Sequence, residues 1–194
     1  MSKNKQDIIN RMTNKGVFPH QFAFTLLIPL RNIFLSPRQL IHHMELQPFH
    51  QVLEVGPGPG YFSKKIAKVL TEGQLILADI QQEMLDYAKK RINKKNLTNV
   101  DYYLCDGNDF AFADNRFDRI FMVTVIGEVE NKERYLQEFY RILKPGGILS
   151  ISELAGDPDK MSPEELKDLA ANAGFTTNQL FGNKRNFTLN FKKA

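Results

Sequence analysis

Directly after the apolar run Val52–Val55, glycine returns at alternate positions, Gly56, Gly58 and Gly60, in the sequence GPGPG. A short apolar run bounded by glycine reads as a buried strand. The glycines then let the chain turn tightly with no side chain blocking a ligand's approach. The next segment, Tyr61–Leu70, sets Phe62, Ile66, Val69 and Leu70 on one helical face. Strand, glycine turn and helix in this order mark the place where an open α/β sheet meets a ligand with its backbone amides. Amides at the start of the helix favour a negative group there.

The alternation continues. Leu75–Ile80 is predicted as a second strand, and the helix after it turns Met84, Leu85, Ala88 and Ile92 inward with its lysines outward. Val100–Leu104 makes a third strand, and Arg119–Val125 a fourth, apolar enough to be buried on both faces. Lys132–Leu143 is predicted helical, with a core stripe of Leu136, Phe139, Tyr140 and Leu143. KPGG, Lys144 to Gly147, breaks it before a strand at Ile148–Ser152. Strands alternating with helices predict a Rossmann-like three-layer sandwich around a mostly parallel sheet.

The C-terminal part departs from this rhythm. Ser162-Pro163-Glu164-Glu165 combines a helix cap, a proline at the first helical position and a capping-box glutamate, so a helix should run to about Ala173 and stop at Gly174. The strands expected near Thr176–Phe181 and Asn186–Phe191 are too close for a parallel crossover. They must form an antiparallel hairpin.

Composition acts as a filter. A chain of 194 residues fits one methodically alternating domain at 46–194, preceded by a helical extension at 1–45 that could cap an acceptor site. The net charge of +4 permits an acidic partner or weak contact with a membrane surface but demands neither. Cys105, the only cysteine, excludes an intramolecular disulfide and a cysteine-based zinc site. His20, His42, His43 and His50 show no familiar metal spacing, so no metal is expected. Val17–Leu35 is greasy but contains His20, Pro29 and Arg31, which makes it a poor membrane-spanning helix. The polar start lacks the apolar core of an export signal, and a cytoplasmic protein is expected.

Spacing narrows the ligand. A dinucleotide fingerprint G-x-G-x-x-G would need its last glycine where Tyr61 stands. Asp79, ending the second strand, is placed to receive both hydroxyl hydrogens of a ribose, in a dinucleotide or an adenosyl cofactor alike; its plainer reading is a helix N-cap. Asp106, after the third strand in LCDG, could accept from an adenine amino group with Gly107 keeping the wall low, or could simply serve the turn.

VLEVGPGPGYFS (Val52–Ser63), LADI (Leu77–Ile80), CDG (Cys105–Gly107), FDRIFMVTVIGEV (Phe117–Val129) and LKPGGILSISE (Leu143–Glu153) resemble successive motifs of the class I S-adenosylmethionine-dependent methyltransferases. The resemblance covers about residues 50 to 193. It implies a seven-stranded sheet with the last strand antiparallel, and S-adenosyl-L-methionine as cofactor. It further implies that Glu54, Gly56, Gly58 and Gly60 hold the methionine end, and Tyr61 is expected to pack beside that portion. Asp79 would hold the ribose with Ile80 beside adenine, and Asp106 and Gly107 would meet the adenine edge. Val123 would lie along the cofactor and acceptor path, and Asp118 resembles a structural position.

The acceptor is less constrained. Glu128, after the fourth strand, Glu153, after the fifth, and His20 are the candidate catalytic groups, each with solvated or packing roles as the plainer alternative. The fourth-strand exit VTVIGEV lacks the Asn/Asp-Pro-Pro-aromatic run of exocyclic base-amine methyltransferases, and one cysteine disfavours an arsenite enzyme. Phe18, Phe22, Phe24, Leu26, Leu27, Ile28, Ile33 and Phe34 could line an apolar pocket, with Arg31 anchoring a polar group. A small, lipophilic acceptor is therefore expected. The alternatives are an RNA or protein acceptor, and a non-enzymatic binding protein.

Overall fold

The described residues are 35–194, for which a computed structural model gives side-chain detail. In chain order they form α1 (Pro37–His43), β1 (Gln51–Val55), α2 (Ser63–Val69), β2 (Gln74–Asp79), α3 (Gln82–Asn93), β3 (Val100–Leu104) and β4 (Phe117–Val123). A 3₁₀ turn at Ile126–Glu128 leads to α4 (Lys132–Ile142), β5 (Leu143–Glu153), α5 (Pro163–Asn172), β6 (Thr176–Asn183) and β7 (Asn186–Lys192). The strands lie in the order β3-β2-β1-β4-β5-β7-β6. All pairs are parallel except β5 with β7 and β7 with β6. The expected mostly parallel sheet with an antiparallel terminal hairpin is what the chain forms.

Strand alternation divides the core in two. On one face Leu53, Ile120, Met122, Leu149, Ile151 and Leu189 pack against Leu136 and Phe139 of α4 and Leu166 and Ala170 of α5. On the other, Val52, Leu75, Leu77, Phe121 and Val123 meet Leu40 and Met44 of α1 and its flank, Ile66 of α2, and Leu85, Ala88 and Ile92 of α3. The inward set expected for α3 is buried as read. The capping box at Ser162 also forms: Glu165 N donates to Ser162 Oγ at 3.2 Å, and Ser162 N donates to Glu165 Oε2 at 2.8 Å.

Several strand bounds differ from those expected, most at β4 and β5. β4 stops at Val123 because Thr124 adopts a left-handed backbone, φ 55°. β5 starts at Leu143, which pairs with Phe117, but the next pair is Arg119 with Ile148. The four residues KPGG are therefore bulged out of the ladder, with Gly146 left-handed at φ 73°. A break is there, as proline and paired glycine suggested, but it interrupts a strand rather than preceding one.

Residues 35–45 are tied to the sheet. Ser36 caps α1, and Arg119 Nε donates to Met44 O at 2.6 Å. Asn190 Nδ2 donates to His43 O at 2.5 Å. Among the described residues no helix is long and apolar enough to cross a membrane.

At the amino edge, Asp118 is a clasp between strands. Its Oδ2 accepts from Gln51 N and its Oδ1 from Lys144 Nζ, both at 2.8 Å. Burial works against its ionised form, but Lys144 and the Gln51 N–H outweigh that and hold the carboxyl below its ordinary range. Asp118→Ala should lower unfolding free energy by about 1–3 kcal/mol, since a partly buried N–H loses its acceptor. Urea titration checks this, and a loss within error of zero would remove the clasp.

Candidate functional site

The carboxyl ends of β1, β2, β3 and β4 lie side by side, so their loops share one rim. Gly56, Gly58 and Gly60 all take positive φ, at 63°, 52° and 75°. Gly56 N donates to Ala78 O at 2.8 Å, tying the turn to β2. A Cβ at Gly56 would stand 2.5 Å from Val125 Cγ2, and one at Gly60 would stand 3.2 Å from Ala88 Cβ. The turn is thus wedged between the β4 exit and α3, which only glycine permits. α2 starts at Ser63, two residues later than read, because the turn continues through Tyr61 and Phe62. Tyr61 is half-buried and packs edge-on against Phe62 at 4.9 Å.

Asp79 ends β2 and is 7% exposed. Burial pushes its carboxyl up to about 6, opposed by the backbone N–H groups of Gln81, Gly58 and Ile80. Asp79 Oδ1 accepts from Gln81 N at 3.0 Å. The acid consequently reads the glycine turn directly through Gly58.

Ile80 leaves 43% of its surface exposed, an apolar face at the rim. Opposite it, Gly107 is left-handed, and a Cβ there would lie 3.4 Å from Ile80 Cγ2. A flat ring fits against such a wall. Asp106 is exposed, and its Oδ1 accepts from Asn108 N at 2.9 Å and Asp109 N at 3.2 Å. Those N–H groups hold its carboxyl below its ordinary range. One oxygen thus serves the turn, as the plainer reading had it.

Glu54 lies on the same sheet face as Asp79, with its Oε2 buried and unpartnered. Burial pushes its carboxyl up to about 8; the Ser63 hydroxyl opposes the shift and the Asp79 charge adds to it. A buried carboxyl oxygen without a partner is costly unless a donor completes it. A cationic amine would do so. A carboxyl at the β2 end, an exposed apolar wall and a buried carboxyl with one unpartnered oxygen would together suit an adenosyl group carrying an amino-acid tail.

Val123 is 9% exposed at the end of β4. Beyond it, Thr124 N donates to Ser152 O at 2.8 Å, locking the exit to β5. The 3₁₀ turn then packs so closely on the 157–160 loop that a Cβ at Gly127 would collide with the Asp159 carbonyl. This juxtaposition brings Glu128 into electrostatic reach of Glu153. Glu153 is fully buried, with neither carboxyl oxygen partnered. Burial, then Asp157, push it up to about 8, with Lys160 opposing and Glu128 adding. His20, Arg31 and the apolar cluster Phe18 to Phe34 lie outside the described residues. Ser63, Asp157 and Lys160 were missed in the sequence reading. Ser63 was within the glycine motif; the other two sit in a loop with no periodic signal.

Among the described residues no three His, Cys, Asp or Glu side chains gather to hold a metal ion. Burial pushes the Cys105 thiol up to about 11, so it is a poor nucleophile.

Comparison with known proteins adds a family. The profile of one described as a methyltransferase domain matches residues 47–189. The ubiquinone/menaquinone biosynthesis C-methyltransferase UbiE of Hydrogenovibrio crunogenus is 33% identical over 123 residues, covering 62% of this chain and 48% of that protein. The demethylmenaquinone methyltransferase of Bacteroides fragilis is 34% identical over 124 residues, covering 62% and 50%. The chain spans about half the length of these curated relatives. In fold, it resembles a SAM dependent methyltransferase from Aquifex aeolicus, with a TM-score of 0.86 at 24% identity over 92% of this chain and 100% of that one.

The wedge at Gly56 is separable from its φ. Gly146 is also left-handed but has open space around its Cβ position. Gly56→Ala should therefore destabilise more than Gly146→Ala, by about 1 kcal/mol or more. Parallel denaturant titrations would show it, and equal losses would mean that backbone conformation alone requires Gly56.

Proposed function

The chain belongs to the class I S-adenosylmethionine-dependent methyltransferases, and from that premise we propose that it moves the methyl group of S-adenosyl-L-methionine to a small, lipophilic acceptor. The observation that carries the reading is the convergence of the Gly56–Gly60 turn, Asp79 and the Ile80–Gly107 wall on one rim. The acceptor class is supported by the relatives' names, which place them in ubiquinone and menaquinone biosynthesis or on demethylmenaquinone.

In this reading Asp79 accepts the two ribose hydroxyls, and Ile80 and Gly107 hold the adenine face. Asp106 takes the adenine amino group on its second oxygen, while Glu54 and the glycine turn, with Tyr61 beside it, hold the methionine end. Val123 lines the path between donor and acceptor. The bound donor supplies a methyl group already activated on sulfur, so the chain's own task is alignment and exclusion of water. Glu153 and Glu128 are the proton-handling pair on the acceptor side. When carbon is methylated, its departing proton needs a base, and Glu128, beyond the end of β4, and Glu153, at the end of β5, are the acids nearest that part of the rim.

One feature favours a second reading. Lys64 lies within electrostatic reach of Lys95, Lys68, Arg91 and Lys65 across α2 and α3, a cationic face suited to RNA or to an anionic membrane surface. Incubation with methyl-labelled donor and fractionated cell extract separates these. Label in the lipid or small-metabolite fraction supports the proposal; label in RNA or protein replaces it, and transfer to no fraction favours a non-enzymatic role.

The donor site has a pH signature. With the Asp79 carboxyl pushed up to about 6, its ionised form, which accepts the hydroxyls, is lost as pH falls through that value. Calorimetric affinity for S-adenosylhomocysteine should be constant at pH 7–8 and weaken below 6, by up to about tenfold per unit. In Asp79→Ala, affinity should fall by about 1–3 kcal/mol and lose that pH dependence. Unchanged affinity would take Asp79 out of the ribose role.

A further inference from the structure

Strands buried on both faces normally read as continuous apolar runs. On the α1–α3 face this holds for β2, β1 and β4 at Leu75, Leu77, Val52, Phe121 and Val123, with Glu54 and Asp79 as cofactor-side exceptions. It fails at β5 and β7. There the same face presents Ser150, Ser152, Thr188 and Asn190, each no more than 1% exposed.

Register places these residues side by side. Val123 pairs with Ser152, Ser152 with Thr188, and Thr188 with Phe181. One step toward the amino edge, Glu54 pairs with Phe121, Phe121 with Ser150, and Ser150 with Asn190. Four polar side chains thus form a two-by-two strip that begins beside Val123. Phe181, at its outer end, is stacked on the His43 ring with centroids 3.8 Å apart.

The strip's hydrogen bonds are incomplete. Ser152 Oγ and Thr188 Oγ1 lie 2.8 Å apart, and whichever donates, the other hydroxyl keeps a hydrogen to give. Asn190 Nδ2 is used on His43 O. Ser150 Oγ, Asn190 Oδ1 and His43 Nδ1 are buried and unpartnered. Leaving such groups unmet is costly where apolar residues would have packed without loss. Glu153, two residues beyond Ile151 on the opposite face, is not part of the strip.

We propose that the Ser150–Ser152–Thr188–Asn190 strip is the acceptor subsite that hydrogen-bonds the oxygen of a hydroxyl- or carbonyl-bearing ring. It rests on the methyl-transfer reading above and adds what the acceptor must carry: an apolar body with at least one ring oxygen. The hydroxyl pair donates to that oxygen, Asn190 Oδ1 accepts from a ring hydroxyl, and the flat Phe181–His43 stack bounds the outer side. The ring enters from the rim where β4 and β5 end, next to Val123, which puts the carbon to be methylated on the donor side of the strip. A hydrocarbon of the same shape would leave the polar atoms unmet and bind weakly.

The probe is 1,4-dihydroxynaphthalene, kept reduced, with naphthalene as its oxygen-free counterpart. Both are measured by equilibrium dialysis against the full chain saturated with S-adenosylhomocysteine. Wild type should bind the diol about tenfold more tightly than the hydrocarbon, the worth of roughly one net hydrogen bond. Ser150→Ala and the isosteric Thr188→Val should each weaken the diol about threefold or more and leave naphthalene and S-adenosylhomocysteine affinities unchanged. If the strip is only structural or only hydrated, the same variants shift the thermal midpoint but not the diol affinity, and the proposal is overturned. Equal binding of diol and hydrocarbon by wild type overturns it too. Failure of S-adenosylhomocysteine to bind would instead bring down the methyl-transfer reading, and the subsite with it.

Discussion

The site depends on one close fit, the seating of the glycine turn between the β4 exit and α3. Without a Cβ at Gly56 the turn can approach Val125, and without one at Gly60 it can approach Ala88. That closeness lets Gly56 N reach Ala78 O and Gly58 N–H reach Asp79. Turn and acid are therefore one unit. The β2 end cannot move without the turn, and the wall formed by Ile80 and Gly107 follows from the same arrangement. Preorganisation of this kind places fixed dipoles and a carboxylate before any ligand arrives.

The sheet divides its work along its width. β3, β2 and β1 end in the groups suited to an adenosyl donor, while β5 and β7 carry polar and acidic side chains where apolar ones would be expected. Glu153 lies on the opposite face of β5 from the serine–threonine–asparagine strip, which continues onto β7. The antiparallel insertion of β7 beside β5 is what makes the strip two residues wide. A donor half and an acceptor half meeting at Val123 is the physical content of the functional reading.

Much of this is legible in the sequence. The apolar run, alternate glycines and following amphipathic stripe identify the turn, and the short spacing near Gly182 requires a hairpin. Asp79 stood out because an acid ending an apolar strand has few other uses. Other features depend on distant packing. Thr124 ends β4 by a left-handed conformation that no glycine announces. Glu153 looks like any strand-end acid, and its isolation comes from the loop around Asp157 and Lys160. The pairing of Ser150 with Asn190 joins β5 to β7 across the intervening α5 and β6, a register no local pattern reveals, although polar residues interrupting ILSISE and FTLNF were visible signs.

Amide chemical-shift mapping with S-adenosylhomocysteine tests the central claim most directly. The largest saturable shifts should fall on Gly56–Gly60, Asp79–Gln81 and Asp106–Gly107, moving together with one dissociation constant. Shifts scattered elsewhere, or groups that titrate with different constants, would contradict a single adenosyl site at this rim.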